Sequence, residues 1–141
     1  MATIERAQVE QVLNLFAARN LTSLMALFAD NAIVYDPHYP VPEMKGKAAI
    51  QRGFEWGLGS LAKPGFAVRN FWADGDKAVI EVDTHHILKM GMEIKFPQVF
   101  VFEMRDGLVT RMQAYEPYPP SGIARVMALS TLLAWKLQGK A

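Results

Sequence analysis

Asp36, His86 and Gln98 are the residues of this sequence best suited to moving a proton. Asp36 ends a β-prone run, Ala32-Ile33-Val34-Tyr35-Asp36, directly before Pro37. A carboxylate set among apolar walls has a raised pKa and becomes a stronger base toward a carbon acid. The competing reading is a turn aspartate that bonds its own backbone ahead of the proline. His86 has an unperturbed pKa of about 6.5, which suits a proton carrier; otherwise it is a satisfied core histidine. Gln98 can donate a hydrogen bond to a developing enolate oxygen, or it bridges strands through a buried water. There is no cysteine, so thiolate nucleophiles, disulfides and cysteine-based zinc sites drop out. The histidines are His38, His85 and His86. An adjacent pair on a strand points to opposite faces, so no metal site is expected.

These side chains need elements to position them. Val9, Val12, Leu13 and Phe16 recur at helical spacing, which predicts a helix over 4–19 with Glu5 in its first turn. Leu21, Leu24, Met25 and Phe28 predict a short second helix, and 32–36 a strand. The segment 37–45 carries Pro37, Pro40 and Pro42 and predicts a stiff loop, with His38 and Tyr39 either over the pocket mouth against a ligand or, the favoured reading, solvated. A third helix is predicted over 46–61. Gly53 and Gly57 weaken it by ~1 kcal/mol each relative to alanine, but at that spacing they allow a close approach by whatever covers it. Strands are predicted over 66–73, 78–89, 92–104 and 108–116, with turns at Asp74-Gly75, Met90-Gly91 and Asp106-Gly107. Short connections make neighbours antiparallel. Pro117, Pro119 and Pro120 end the sheet, and 122–138 predict a final helix with Ile123, Val126, Met127, Ser130, Leu133 and Leu137 on one side.

Strand alternation then sorts the faces. Ala78, Ile80, Val82, Thr84, His86 and Leu88 share the inner face of one strand. Met92, Ile94, Phe96, Gln98, Phe100 and Phe102 share that of the next, and Leu108, Thr110, Met112, Ala114 and Glu116 that of the last. The inner surface is apolar except at His86, Gln98 and Glu116. Buried polar groups need partners, and their presence marks a binding cavity rather than a filled core. Tyr35, Phe54, Trp56, Phe100, Met112 and Glu116 are the expected substrate-binding wall. Arg69 and Arg111 fall off the inner face. Val79, Ile87, Val99 and Val101 leave an apolar outer face, which predicts a homodimer.

Composition fits a single α+β domain over 1–141, with 121–141 as a C-terminal helical extension. Of the 141 residues, 51% are hydrophobic and 21% charged, which is ordinary globular usage. A net charge of +1 with scattered basic residues gives no footprint for nucleic acid. The apolar stretch from Ile123 to Leu137 is too short to span a bilayer, and no basic start leads into an apolar segment. We therefore expect a cytoplasmic protein without membrane or nucleic-acid partners.

Several stretches carry a resemblance. Phe28-Ala29-Asp30-Asn31-Ala32, Val34-Tyr35-Asp36-Pro37 and Gly46-Lys47-Ala48-Ala49-Ile50 resemble the first half of bacterial Δ5-3-ketosteroid isomerases. Phe96-Pro97-Gln98-Val99-Phe100-Val101-Phe102 and Asp106-Gly107-Leu108-Val109 resemble their closing hairpin. The resemblance spans about residues 5–116 and extends to SnoaL-like polyketide cyclases. It implies the cone-shaped nuclear transport factor 2-like fold, a curved mixed or antiparallel sheet wrapped on three N-terminal helices. In those isomerases an aspartate at the first strand's end moves a proton beside a ketone, and Asp36 falls there. Their oxyanion-hole tyrosine is replaced by Val12 or an apolar neighbour, and their second acid is best matched by Gln98. The implied activity is cofactor-free proton transfer on a hydrophobic, polycyclic carbonyl compound, as an isomerase or cyclase. The same fold also hosts epoxide hydrolases and non-catalytic binding or dimerisation modules.

Overall fold

The computed structural model describes residues 2–117 and 122–140. Helix α1 (Arg6–Ala17) buries Val9, Val12, Leu13 and Phe16, the stripe its periodicity marks. Glu5 lies one residue before the first turn, as the cap; its N–H donates to Gln8 Oε1 at 2.8 Å. Helix α2 (Leu21–Met25) starts where the Asn20 side chain accepts from the Ser23 N–H at 3.2 Å. Phe28, expected to close that helix, instead opens strand β1 (Phe28–Tyr35). The proline loop also holds a short strand, β2 (Glu43–Lys45), paired antiparallel with β1. Helix α3 (Lys47–Ser60) runs straight into β3 (Leu61–Lys63), a strand too short to leave a sequence signal.

Strands β4 (Phe66–Asp74), β5 (Lys77–Leu88), β6 (Glu93–Arg105) and β7 (Leu108–Tyr115) follow, each antiparallel to the next. The last hairpin turns on Asp106 and Gly107, both at positive φ, the backbone a two-residue turn of matching twist demands. The sheet order is β2-β1-β7-β6-β5-β3, with β4 also on β5. β1 pairs parallel with β7, Tyr35 opposite Gln113, which closes the sheet into a mixed one. This is the α+β architecture expected, with an open curved sheet.

The inner face is as alternation predicts over most of its length. Ala78, Ile80, Val82, Thr84, Gln98, Phe100 and Phe102 are buried. Met92 is the exception on β6, since it precedes the strand and is exposed. On β7 the expected set holds for Met112 and Ala114 but not earlier, where Val109 is buried and Leu108 exposed. The cause is a bulge: Glu103 pairs Arg111 while Met104 pairs Val109, leaving Thr110 as the extra residue. Thr110 Oγ1 donates to the Glu103 carbonyl at 3.1 Å across it.

The helices cover this face. Arg19, just past α1, caps the far end of α3: its guanidinium donates to the carbonyls of Leu58 at 2.9 Å and Ala62 at 3.1 Å, and also to that of Leu61. A final helix, α4 (Gly122–Leu137), has no buried residue, and Ile123, Val126, Met127, Leu133 and Leu137 are all exposed. Pro119, Pro120 and residue 121 of the expected extension lie outside the described residues. No described helix is long and apolar enough to cross a membrane.

Candidate active site

A cavity of about 340 Å³ opens between the concave sheet face and the helices, at the lower end of small-molecule site volumes. All nine site residues named from the sequence line it. Phe54, Phe100 and Met112 are buried parts of the wall, while Tyr35 and Trp56 are exposed at its margin. Asp36, Glu116, His86 and Gln98 supply polar groups, together with His38, Tyr39 and Ser60.

Asp36 and Glu116 come together because β1 and β7 run parallel and stop at the same end. Their side chains hydrogen-bond to each other. Burial raises the Asp36 pKa above its ordinary value, against the lowering effect of the His38 N–H, which donates to Asp36 Oδ1 at 3.0 Å. The turn bond expected of a plain turn aspartate is therefore present, and so is the cavity-side contact. Burial pushes Glu116 up to about 8, helped by the Asp36 charge and by their hydrogen bond. Its side chain is 3% exposed, and Oε2 pairs with His38 Nδ1. Two carboxyls in contact in an apolar cavity do not both ionise readily, and of the two it is Glu116 whose proton is held up to about pH 8.

His86 is held at one nitrogen. Its Nδ1 accepts from the Gly65 N–H at 3.0 Å, so the neutral ring carries its proton on Nε2. Burial, then the neighbouring His85, lowers its pKa to about 4. His86 is thus a neutral donor, not the acid its ordinary pKa promises. His85 does face away, toward Glu93 at 3.7 Å. Gln98 Nε2 donates to Thr84 Oγ1 at 2.9 Å, and Oε1 is buried with no partner among the described residues.

His38 and Tyr39, for which the sequence favours solvent over the pocket mouth, line the cavity. His38 is half exposed but spans the cavity mouth, pairing with Glu116 and meeting the Phe96 ring edge-on at 6.0 Å. Tyr39 packs on Trp56, ring centroids 5.6 Å apart. Its phenol pKa is raised by burial and by the charges of Asp36 and Glu116, so it stays an O–H donor. The glycine pair was the available signal. A Cβ on Gly57 would stand 2.8 Å from the Tyr39 hydroxyl, and one on Gly53 would overlap Met44 Sδ. What covers α3 closely is therefore Tyr39 and Met44.

Asp36, His38 and Glu116 also offer three ligand atoms within 4.8 Å of one another. His85 and His86 point to opposite faces of β5, but Asp36, His38 and Glu116 come from other elements and are not kept apart in that way. A divalent cation there would require Glu116 to give up its proton. Among the described residues no lysine or arginine lines the cavity; Arg69 pairs with Asp83 and Arg111 with Glu103, both off the inner face.

Residues 9–112 match the SnoaL-like domain. No curated protein matches the sequence. Among solved structures, a protein from Catenulispora acidiphila with a ketosteroid isomerase-like fold, in complex with trimethylamine, superposes with a TM-score of 0.73 at 18% identity, over 82% of this chain and 89% of that one. A Mycobacterium tuberculosis protein in complex with estradiol-17β-hemisuccinate gives 0.69 at 18%, over 77% and 90%. An LEH-like epoxide hydrolase from the same species gives 0.70 at 18%, over 91% and 93%. At these identities the likeness is one of fold.

Proposed function

Starting from the fact that this chain belongs to the SnoaL-like domain family, we propose that it is an enzyme that moves a proton beside the carbonyl of a small apolar compound, as an isomerase or cyclase. The observation that carries the reading is the Asp36–Glu116 pair: two hydrogen-bonded carboxyls in an apolar cavity, one set to be ionised and one to be neutral. Asp36 takes a proton from the carbon next to the carbonyl. The electron pair moves onto oxygen, and the Tyr39 O–H or the His86 Nε2–H donates to the resulting enolate. Where a neighbouring C=C extends the enolate to a dienolate, return of the proton at its far carbon gives isomerisation; attack of the enolate carbon on a second carbonyl within the substrate gives ring closure. Glu116, aligned by His38, supplies the proton that a ring-closing alkoxide needs. These groups are the chain's own, and the reaction draws on no cofactor.

Opening an epoxide is the weaker reading, because the lining offers carboxyls but no arginine between them. A non-catalytic binding module would need the same cavity but not the shifted carboxyls. The test is hydrogen–deuterium exchange at C2 of 1-tetralone in D2O, followed by NMR. Catalysed exchange supports the proposal, and exchange no faster than buffer despite binding makes the protein a binder.

A further inference from the structure

His86 spends one ring nitrogen on the protein and keeps the other for the cavity. Its Nδ1 accepts from the Gly65 N–H at 3.0 Å. A backbone N–H can only donate, so the nitrogen that meets it carries no proton. Turning the ring over would set carbon against that N–H and lose the bond. The proton of the neutral ring is therefore fixed on Nε2, at the tip of an inner-face side chain that lines the cavity. Among the described residues nothing accepts it. Ser60 Oγ bonds the Gly57 carbonyl at 2.8 Å, the Gln98 amide bonds Thr84, and the rings and chains beside His86, those of Phe66, Leu88 and Ile94, hold no acceptor. A water can serve this N–H in an empty cavity, but a wholly apolar ligand that displaces the water loses affinity by leaving the donor unpaired.

His86 also stands apart from the carboxyl pair. It pairs with Ile94, whereas Val99 pairs with Tyr115, which sets Gln98 opposite Glu116. Ile94 and Gln98 are separated by about 13 Å of strand, and β5 and β7 flank β6 at about 10 Å from each other. The electrostatics agree. Tyr39 feels the charges of Asp36 and Glu116, while the pKa of His86 answers to burial and to His85. Tyr39 is the donor near the base, and His86 is the donor at the other end.

We infer that the cavity selects an elongated ligand, with its reacting ketone at the Asp36–Glu116 end and a second oxygen acceptor, a carbonyl or an ether, at the far end of its apolar ring system, where that oxygen accepts from His86 Nε2–H. Tyr39 is then the residue that holds the enolate, and His86 is a specificity residue that reads the ligand away from the reacting carbon. The inference rests on the proton-transfer reading of the same cavity, and the experiment separates the two.

The probes are two pairs of methyl ketones of different length: 2-acetyl-6-methoxynaphthalene against 2-acetyl-6-ethylnaphthalene, and 4-acetyl-4′-methoxybiphenyl against 4-acetyl-4′-ethylbiphenyl. Within each pair an ether oxygen replaces a CH2 group, so the shape is held and only the acceptor changes. Affinities for the intact protein are read by equilibrium dialysis. In at least one pair the methoxy ligand should bind about three- to tenfold tighter than its ethyl partner, the range of one neutral hydrogen bond. His86→Phe keeps a ring and removes both nitrogens, and the methoxy-to-ethyl affinity ratio should fall to about one. Should that variant not fold, His86→Asn is read instead: its Oδ1 can still accept from the Gly65 N–H, but no atom reaches as far as Nε2, and the ratio should again fall to about one. A general loosening of the cavity would weaken both members of a pair and leave their ratio unchanged. The inference is overturned if no methoxy ligand exceeds its ethyl partner, if the ratio survives the substitution, or if none of the four binds. Deuterium exchange of the acetyl protons in D2O, followed by NMR with the same four ketones, distinguishes the two claims. Exchange without an oxygen advantage leaves proton transfer standing and removes this inference; an oxygen advantage that is lost on substitution, without exchange, keeps the His86 contact and removes proton transfer.

Discussion

Asp36 follows β1 and Glu116 follows β7, and because those strands run parallel, both carboxyls leave the sheet at one end and meet there. An antiparallel pairing would have sent them to opposite ends. The candidate acid and base are therefore a product of topology, held about eighty positions apart in sequence.

Asp36→Asn keeps the shape and removes the base. We expect exchange at C2 of 1-tetralone to fall by ~10²–10⁴-fold, the usual cost of a lost general base, with affinity for the ketone unchanged within about threefold. Calorimetry and NMR exchange on the same samples check both halves. Undiminished exchange would remove Asp36 from the reaction.

The proton on Glu116 should be visible in folding. Its pKa rises from 4.5 to about 8 on folding. Across that interval the native state binds more protons than the unfolded one, so stability falls as pH rises. His86 works in the other direction, its pKa falling from 6.5 to about 4, and takes stability away as pH drops through that window. Between pH 6.5 and 8 the Glu116 effect stands alone of the two. Urea midpoints should decline over this range in the wild type and stay level in Glu116→Gln. Activity should share the alkaline limb, fading as pH passes about 8.

Gly57 and Tyr39 should be coupled. Gly57→Ala gains about 1 kcal/mol of helix propensity, yet its Cβ meets the Tyr39 hydroxyl at 2.8 Å and must push the ring aside. We expect the substitution to destabilise the wild type and to be neutral or stabilising in Tyr39→Phe. A double-mutant cycle by denaturant unfolding should give a coupling of about 1 kcal/mol or more. Additive effects would mean that the ring moves freely.

Much of the fold was legible because it is local. Hairpins announce themselves through short turns and alternation, and β4 to β7 need nothing else. β3 and β2, three residues each, offer no period to detect. Thr110 broke the count on β7, since one extra residue shifts the face of everything before it. The site was less legible for two reasons. His38 and Tyr39 do sit in a proline loop, but only the distant pairing of β1 with β7 folds that loop over the cavity. Gln98 was identifiable as the polar residue of an apolar face. Its partner Thr84 sits on the neighbouring strand, so the pairing shows only once β5 and β6 are set side by side.

Self-association is expected through the uncovered faces. Val79, Ile87, Val99 and Val101 are half-buried on the side of the sheet away from the helices, and α4 presents its apolar residues to solvent. Sedimentation should find a dimer at micromolar concentration. The double change Val99→Glu and Val101→Glu should weaken it at least about tenfold by placing charge in the contact. A wild-type monomer would contradict this.

The seam between β1 and β7 also sets a schedule. The hairpins close over a few residues, whereas the seam closes a loop running through most of the chain, and contacts of that span form late. During refolding, amides of Val34 and Tyr35 should gain protection from exchange after those of β5 and β6. A nascent chain halted before residue 108 would hold an open apolar trough and an unpaired β1 edge, and such edges recruit other strands. The step that brings the two carboxyls together is thus the step that seals the molecule against aggregation.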